Sequence, residues 1–153
     1  MKYTIKLKKG HPDAIIPTQT KGNVGFDLSS IEEGWIPPGE CKLIDTGIIF
    51  AEPISTDKDF PVFAKIEGRS GLASKGIFTS GGVIDTDSYR GKIKVILYNF
   101  TKLPFRYDKG NRIAQIIIYP ALYTSNNTEV VFEETDEVQQ TDRAEKGFGS
   151  SGI

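Results

Sequence analysis

The sequence predicts an all-β fold, a sandwich, jelly roll or barrel, and three observations carry that expectation. Apolar residues nowhere recur with a helical period over about ten or more positions. About ten short stretches rich in β-branched and aromatic residues follow one another at close spacing. Glycine and proline interrupt them throughout, as in small sheets joined by tight turns.

Lys2 to Lys8 alternates, with Tyr3, Ile5 and Leu7 on one face and Lys2, Thr4, Lys6 and Lys8 on the other, the pattern of a half-buried strand. His11 to Gly22 holds two prolines and little periodicity and reads as an irregular connection. Val24 to Ser30 suits a short strand. After the turn Pro37-Pro38-Gly39-Glu40, the run Cys41 to Ala51 is β-rich and ends at Pro53. Phe60 to Ile66 is a further strand. Ser70 to Lys75 is the one short helix expected, with Ser70 as N-cap and Gly76 as a left-handed stop. Ile77 to Ile84 and Lys92 to Phe100 form a candidate hairpin about the polar turn Asp85 to Gly91. Arg112 to Tyr119, apolar apart from Arg112 itself and Gln115, reads as a strand buried on both faces. Val130 to Glu134 is the last element expected.

The 153 residues suit one domain with a proper core. Lys and Arg total 19 against 20 Asp and Glu, a net charge of -1. That balance provides no overall field for nucleic acid or an anionic membrane, so neither is expected as a partner, and any phosphate ligand must be bound locally. The single Cys41 excludes an internal disulfide framework and suits a reducing compartment, and the single His11 excludes a His-rich metal site. With no signal peptide and no span of about 18 apolar residues, a soluble protein of the cytoplasm is expected, or of the nucleus in a eukaryote or virus.

Four stretches of the body carry residues with chemistry to offer. Glu67 to Gly76 joins a strand end to the short helix, where an anion would meet free amides, the Ser70 hydroxyl and the Arg69 fork; an ordinary capped turn has the same signature. Gly81 to Gly91 places two acids and Tyr89 at a hairpin tip. There Gly82 admits a flat ligand and Asp85 is a candidate general base, although acids in a turn commonly serve only as solvated turn formers. Asp27 beside apolar neighbours wants a partner or a metal, and a salt bridge is the commoner solution. Gln115, polar inside an apolar run, either satisfies a backbone group or faces a site; Lys109 and Arg112 nearby read as surface charges.

The last stretch, Asp142 to Ile153, is charged and then Gly/Ser-rich around one aromatic, too poor in apolar surface to pack a core. Taken alone it is a flexible terminus. It also holds what a nucleotide needs from a closing lid: a guanidinium, glycine-freed amides, hydroxyls and a ring.

Five stretches in fixed order coincide with the motifs of the trimeric dUTPase family, which the chain resembles. They are Val24-Gly-Phe-Asp-Leu28, Gly68-Arg-Ser-Gly-Leu-Ala73, Gly82 to Gly91, Gly110-Asn-Arg-Ile-Ala-Gln115, and Arg143 to Gly152. The resemblance implies a distorted jelly-roll β-barrel over 1–134, with a mobile C-terminal arm over 135–153 that closes a neighbouring subunit's site in a homotrimer. It implies Mg2+-dependent hydrolysis of dUTP to dUMP and pyrophosphate by water attack on the α-phosphorus, limiting uracil in DNA and supplying dUMP for dTMP synthesis. Asp85 then matches the residue that activates the water and Gln115 the one that places it. Arg69, Ser70 and Gly71 match triphosphate ligands, and Asp27 lies near the hydrated metal.

Uracil is read by the hairpin backbone, here Gly82, Val83 and Ile84 with Lys94, in a pocket too narrow for the methyl of thymine. Tyr89 packs on deoxyribose. In the arm, Arg143 matches the γ-phosphate ligand, Phe148 the ring stacked on uracil, and Gly149 and Ser150 further phosphate contacts. The chain departs from the family pattern by one residue, Ser88, inserted before Tyr89.

A dCTP deaminase shares the implied fold, but it would use a pocket Glu and would not need the Gly-Phe-Gly-Ser tail. A nucleotide-sensing regulatory protein would not need Asp85 and Gln115.

Overall fold

The computed structural model describes residues 4–54, 61–121 and 130–136. Eleven strands and one short helix follow in the order β1 (Leu7–Lys9), β2 (Phe26–Ser29), β3 (Gly34–Ile36), β4 (Cys41–Asp45), β5 (Ile48–Phe50), β6 (Val62–Glu67), α1 (Ser70–Ala73), β7 (Ile77–Ser80), β8 (Val83–Ile84), β9 (Lys94–Asn99), β10 (Phe105–Tyr107) and β11 (Arg112–Pro120). They form a four-stranded sheet in the order β2-β11-β6-β8, a three-stranded sheet β4-β9-β7, and the pairs β1-β5 and β10-β3. Every named strand pairing is antiparallel.

Alternation builds the core. Along β6 and β9 every second residue is buried, and the inward side chains Ala64, Val95 and Leu97 meet Leu28, Ile36, Ile44 and Ile113, all at most 1% exposed. Each such burial of Leu, Ile or Val contributes about 1.5–3 kcal/mol. Several polar groups that the core admits are hydrogen-bonded, Ser30 and Thr46 through their hydroxyls to backbone carbonyls. Buried Asn99 donates through Nδ2 to the carbonyls of Ile36 and Leu103, both at 2.8 Å, and accepts from Thr101.

Several elements differ from the sequence expectations. The first strand is only Leu7–Lys9, with no strand at residues 4–6, because its partner β5 is just three residues long. The run Cys41 to Ala51 breaks at Thr46-Gly47, where Gly47 takes φ 68° and β4 and β5 part into different sheets. The candidate hairpin is likewise divided. β7 pairs with β9, but Gly81 (φ 71°) and Gly82 (φ 125°) carry the chain across to the other sheet, where β8 pairs with β6. β3 and β10 were not anticipated, since three residues are too few to show a period; they exist by pairing with each other.

The helix ends at Ala73, and its N-cap is Arg69 rather than Ser70, with no side-chain cap bond. Gly76 takes φ 79°, the left-handed stop expected. In β11 burial is not two-sided: Gln115, Ile117, Ile118 and Tyr119 are only half-buried. Val130 to Glu134 forms no strand, for no described backbone pairs with it, and Val131 and Phe132 are 71% and 96% exposed.

Candidate active site

Strand register creates the first cluster. Asp27 on β2, Gln115 on β11 and Glu67 on β6 lie opposite one another in a single row across the four-stranded sheet. Arg69, just beyond β6, donates from Nε to Asp27 Oδ1 at 3.0 Å and from Nη1 to the Arg112 carbonyl at 3.0 Å. Arg112 completes a fork on the same carboxylate, Nη1 to Oδ2 at 3.1 Å. Asp27 is therefore held by two guanidiniums, the salt-bridge solution to a carboxylate among apolar neighbours. Gln115 donates from Nε2 to the Gly68 carbonyl at 2.8 Å, and its side chain crosses so close over Gly25 that any Cβ there would collide with it. Ser70 and Gly71 are exposed at the start of α1, where the first amides have no intrahelical acceptor. Lys109 is a surface charge paired with Asp13, and that pairing holds the Asp13 carboxyl below its ordinary range.

The second cluster is a cavity of about 370 Å³, a volume suited to a nucleoside. It gathers Gly82, Val83, Ile84, Asp85, Tyr89 and Lys94, the hairpin residues matched to the uracil, sugar and water from sequence, while the second acid of the tip, Asp87, does not line it. Gly82 sits against β6: the Ile66 amide donates to its carbonyl at 2.8 Å, and a Cβ at Gly82 would stand 2.7 Å from the Ile66 carbonyl oxygen. Asp85 is exposed, and its carboxylate accepts no side-chain hydrogen bond among the described residues, so it is open to a water molecule.

The extra residue Ser88 does not displace Tyr89 from the cavity. The amides of Ser88 and Tyr89 both donate to the Asp85 carbonyl, at 3.0 and 2.7 Å, so the insertion is taken up as one tight helical turn. Tyr89 then donates its hydroxyl to the Lys92 carbonyl at 3.0 Å.

Among the described residues that line the hairpin cavity, none of Asp27, Arg69, Ser70, Gly71 and Gln115 is found. Arg143, Phe148, Gly149 and Ser150 lie outside the described residues. Sequence reasoning missed Leu43 and Ile66, which wall the cavity from β4 and β6, and Gly25, which makes room for Gln115. Gly25 stands beside Asp27 inside an expected strand, and a glycine there signals close approach. Leu43 carries no such mark, being an ordinary strand residue until the sheet turns it to the cavity.

Comparison with known proteins sets this geometry in context. The family model described as dUTPase matches residues 12–152. A deoxyuridine 5'-triphosphate nucleotidohydrolase of Clostridioides difficile is 44% identical over 155 residues, covering 99% of each chain. One from Monkeypox virus is 43% identical over 135 residues, 88% of this chain and 81% of the relative. A solved Staphylococcus bacteriophage 80alpha dUTPase with dUPNHPP has a TM-score of 0.78 at 24% identity, covering 99% of this chain and 100% of its own; that likeness bears on the fold.

Proposed function

Because the chain belongs to the dUTPase family, we propose that it hydrolyses dUTP to dUMP and pyrophosphate, limiting uracil in DNA and supplying dUMP for dTMP synthesis. The observation that carries this reading is the cavity that joins the glycine-opened backbone at Gly82 to an exposed carboxylate at Asp85 with no side-chain hydrogen bond among the described residues.

Uracil would lie against Gly82, Val83 and Ile84 with Lys94, and the sugar against Tyr89. Asp85 takes a proton from water as the water oxygen bonds to the α-phosphorus, and pyrophosphate leaves with the electrons of the broken P–O bond. Little more than positioning and charge neutralisation is then required. Gln115, fixed by its bond to the Gly68 carbonyl, would orient the water and phosphate oxygens. Arg69, Ser70 and Gly71 would hold the triphosphate, and Arg143, Phe148, Gly149 and Ser150 would close over it.

Mg2+ fits as a substrate-borne ion. No group of three or more His, Cys, Asp or Glu side chains forms a metal cage among the described residues, and both Asp27 oxygens already accept from arginines. A hydrated Mg2+ held chiefly by phosphates needs only one or two carboxylates, which Asp27 would supply through water. The ion supplies neutralisation of developing phosphate charge when bound.

The separation of the two clusters favours a site shared between subunits, the hairpin of one meeting the polar row of another, and membership of the dUTPase family supports a homotrimer for that assembly. A deaminase reading is disfavoured by the cavity itself, whose acidic lining residue is Asp85, with no Glu.

The test is pyrophosphate release from each of the common ribo- and deoxynucleoside triphosphates. dUTP should be cleaved far faster than the others. Equal rates across the pyrimidines, or ammonia from dCTP, would overturn the assignment.

A further inference from the structure

The loop between β8 and β9 carries Arg90, whose side chain has no part in the roles above. Arg90 turns its guanidinium back onto its own loop: Nη1 donates to the carbonyls of Thr86 and Tyr89, each at 2.8 Å, and Nη2 to that of Asp87 at 3.2 Å. These are carbonyls of the turn into which Ser88 is inserted. A single isolated turn has no following turn to donate to its carbonyls, and Arg90 supplies the missing donors. The loop is tied down at two further points. Thr86 is 3% exposed and anchors it inward, and the Lys92 ammonium lies 3.2 Å from Asp45 Oδ2 at the end of β4. The Tyr89 ring lies across Gly91, where any Cβ would collide with the phenol.

We propose that Arg90 is a positioning residue for sugar discrimination: its fork locks three peptide planes of the loop and so fixes the Tyr89 ring relative to the Asp85 carboxylate. The proposal rests on the dUTP reading of the cavity. Its physical content is the fork rather than the charge. A guanidinium has several donors in one plane and can bridge separate carbonyls at once, whereas an ammonium on a flexible stem offers a point charge. Among the described residues the Tyr89 side chain is held by its hydroxyl bond and the contact with Gly91, so loosening the carbonyls on either side of the turn frees the ring to swing from the sugar. A 2'-hydroxyl would then be admitted.

The experiment compares wild type, Arg90→Ala and Arg90→Lys. Two quantities are measured: the ratio of kcat/KM on dUTP to that on UTP, and amide hydrogen exchange across residues 85–91 without ligand. Both variants should lose about tenfold or more of the ratio, since small misplacements of a positioned group are costly. Exchange at Ser88 and Tyr89 should rise, with melting almost unchanged because the loop opens locally. Full recovery of the ratio in Arg90→Lys would overturn the proposal, for charge alone would suffice. Unchanged protection of Ser88 and Tyr89 in Arg90→Ala would overturn it as well. Absence of dUTP cleavage by wild type would instead refute the assigned function, while the exchange result would still decide whether Arg90 holds the loop. Should Arg90→Ala not fold, Arg90→Lys provides both readouts.

Discussion

The polar row across β2, β11 and β6 and the loop that follows β8 are held together in opposite ways. In the row, residues as far apart in sequence as Asp27, Arg69 and Arg112 meet through side-chain ion pairs, and strand register puts them there. In the loop, neighbours within a few positions bind one another's backbone, as the Asp85 carbonyl does for two amides and Arg90 does for three carbonyls. In the row both Asp27 oxygens accept from guanidiniums, so under the proposed function a triphosphate would compete with Asp27 for them. In the loop the Asp85 carboxylate accepts no side-chain hydrogen bond among the described residues and is exposed. One region is closed by ion pairs between distant residues, the other by backbone bonds between neighbours.

That contrast can be broken most severely at Asp85. Asp85→Asn preserves the shape and removes the base, so turnover of dUTP should fall by about a hundredfold or more, while binding of a non-hydrolysable dUTP analogue and the melting temperature stay near wild type. Turnover close to wild type would remove Asp85 from the chemistry.

A mixing experiment sharpens the comparison by asking whether row and loop of one site belong to one chain. Asp85→Asn and Arg69→Ala are each expected to be nearly inactive. In the proposed homotrimer, refolding them together in equal amounts would give mixed trimers, and in each mixed ring one site of three would pair a native loop with a native row. Three-quarters of random trimers are mixed, so activity should recover to about a quarter of wild type per site. No recovery, with mixing verified by mass, would place row and loop of each site in the same chain.

The smallest effect is expected in the row itself. Asp27→Asn weakens two ion pairs that are only partly shielded, with side chains 28% and 22% exposed at the Arg69 contact. Solvent screening limits the loss to about 1 kcal/mol, read as a lower urea midpoint. An unchanged midpoint would show that the strand ladder, not the ion pairs, holds the row.

The loop was legible in the sequence because its parts are contiguous. Gly82, Asp85 and Tyr89 lie within eight residues, and the structure gathers them in one cavity with Lys94. The row was legible only as isolated oddities, a carboxylate and an amide inside apolar runs. Nothing in the spacing of Asp27, Arg69 and Arg112 says that they touch. Most strands were visible from alternation, while Gly34–Ile36 and Phe105–Tyr107 were not, being shorter than any period. The division of the hairpin at Gly81-Gly82 was likewise hidden: a glycine pair signals a bend, but not that the chain changes sheets there.

By itself the sequence determined the all-β class, the turns at Gly39 and Gly76, and the grouping of Gly82, Asp85 and Tyr89. These follow from local quantities: side-chain alternation, backbone freedom at glycine and the run of polar residues at a turn. Only the tertiary structure decided that Arg69 and Arg112 close on Asp27, that Gln115 lies over Gly25, and that Leu43 and Ile66 wall the cavity. Those contacts depend on strand order and register, which arise from how whole sheets bury their apolar faces against one another. A register shift of one residue would turn each of these side chains to the opposite face.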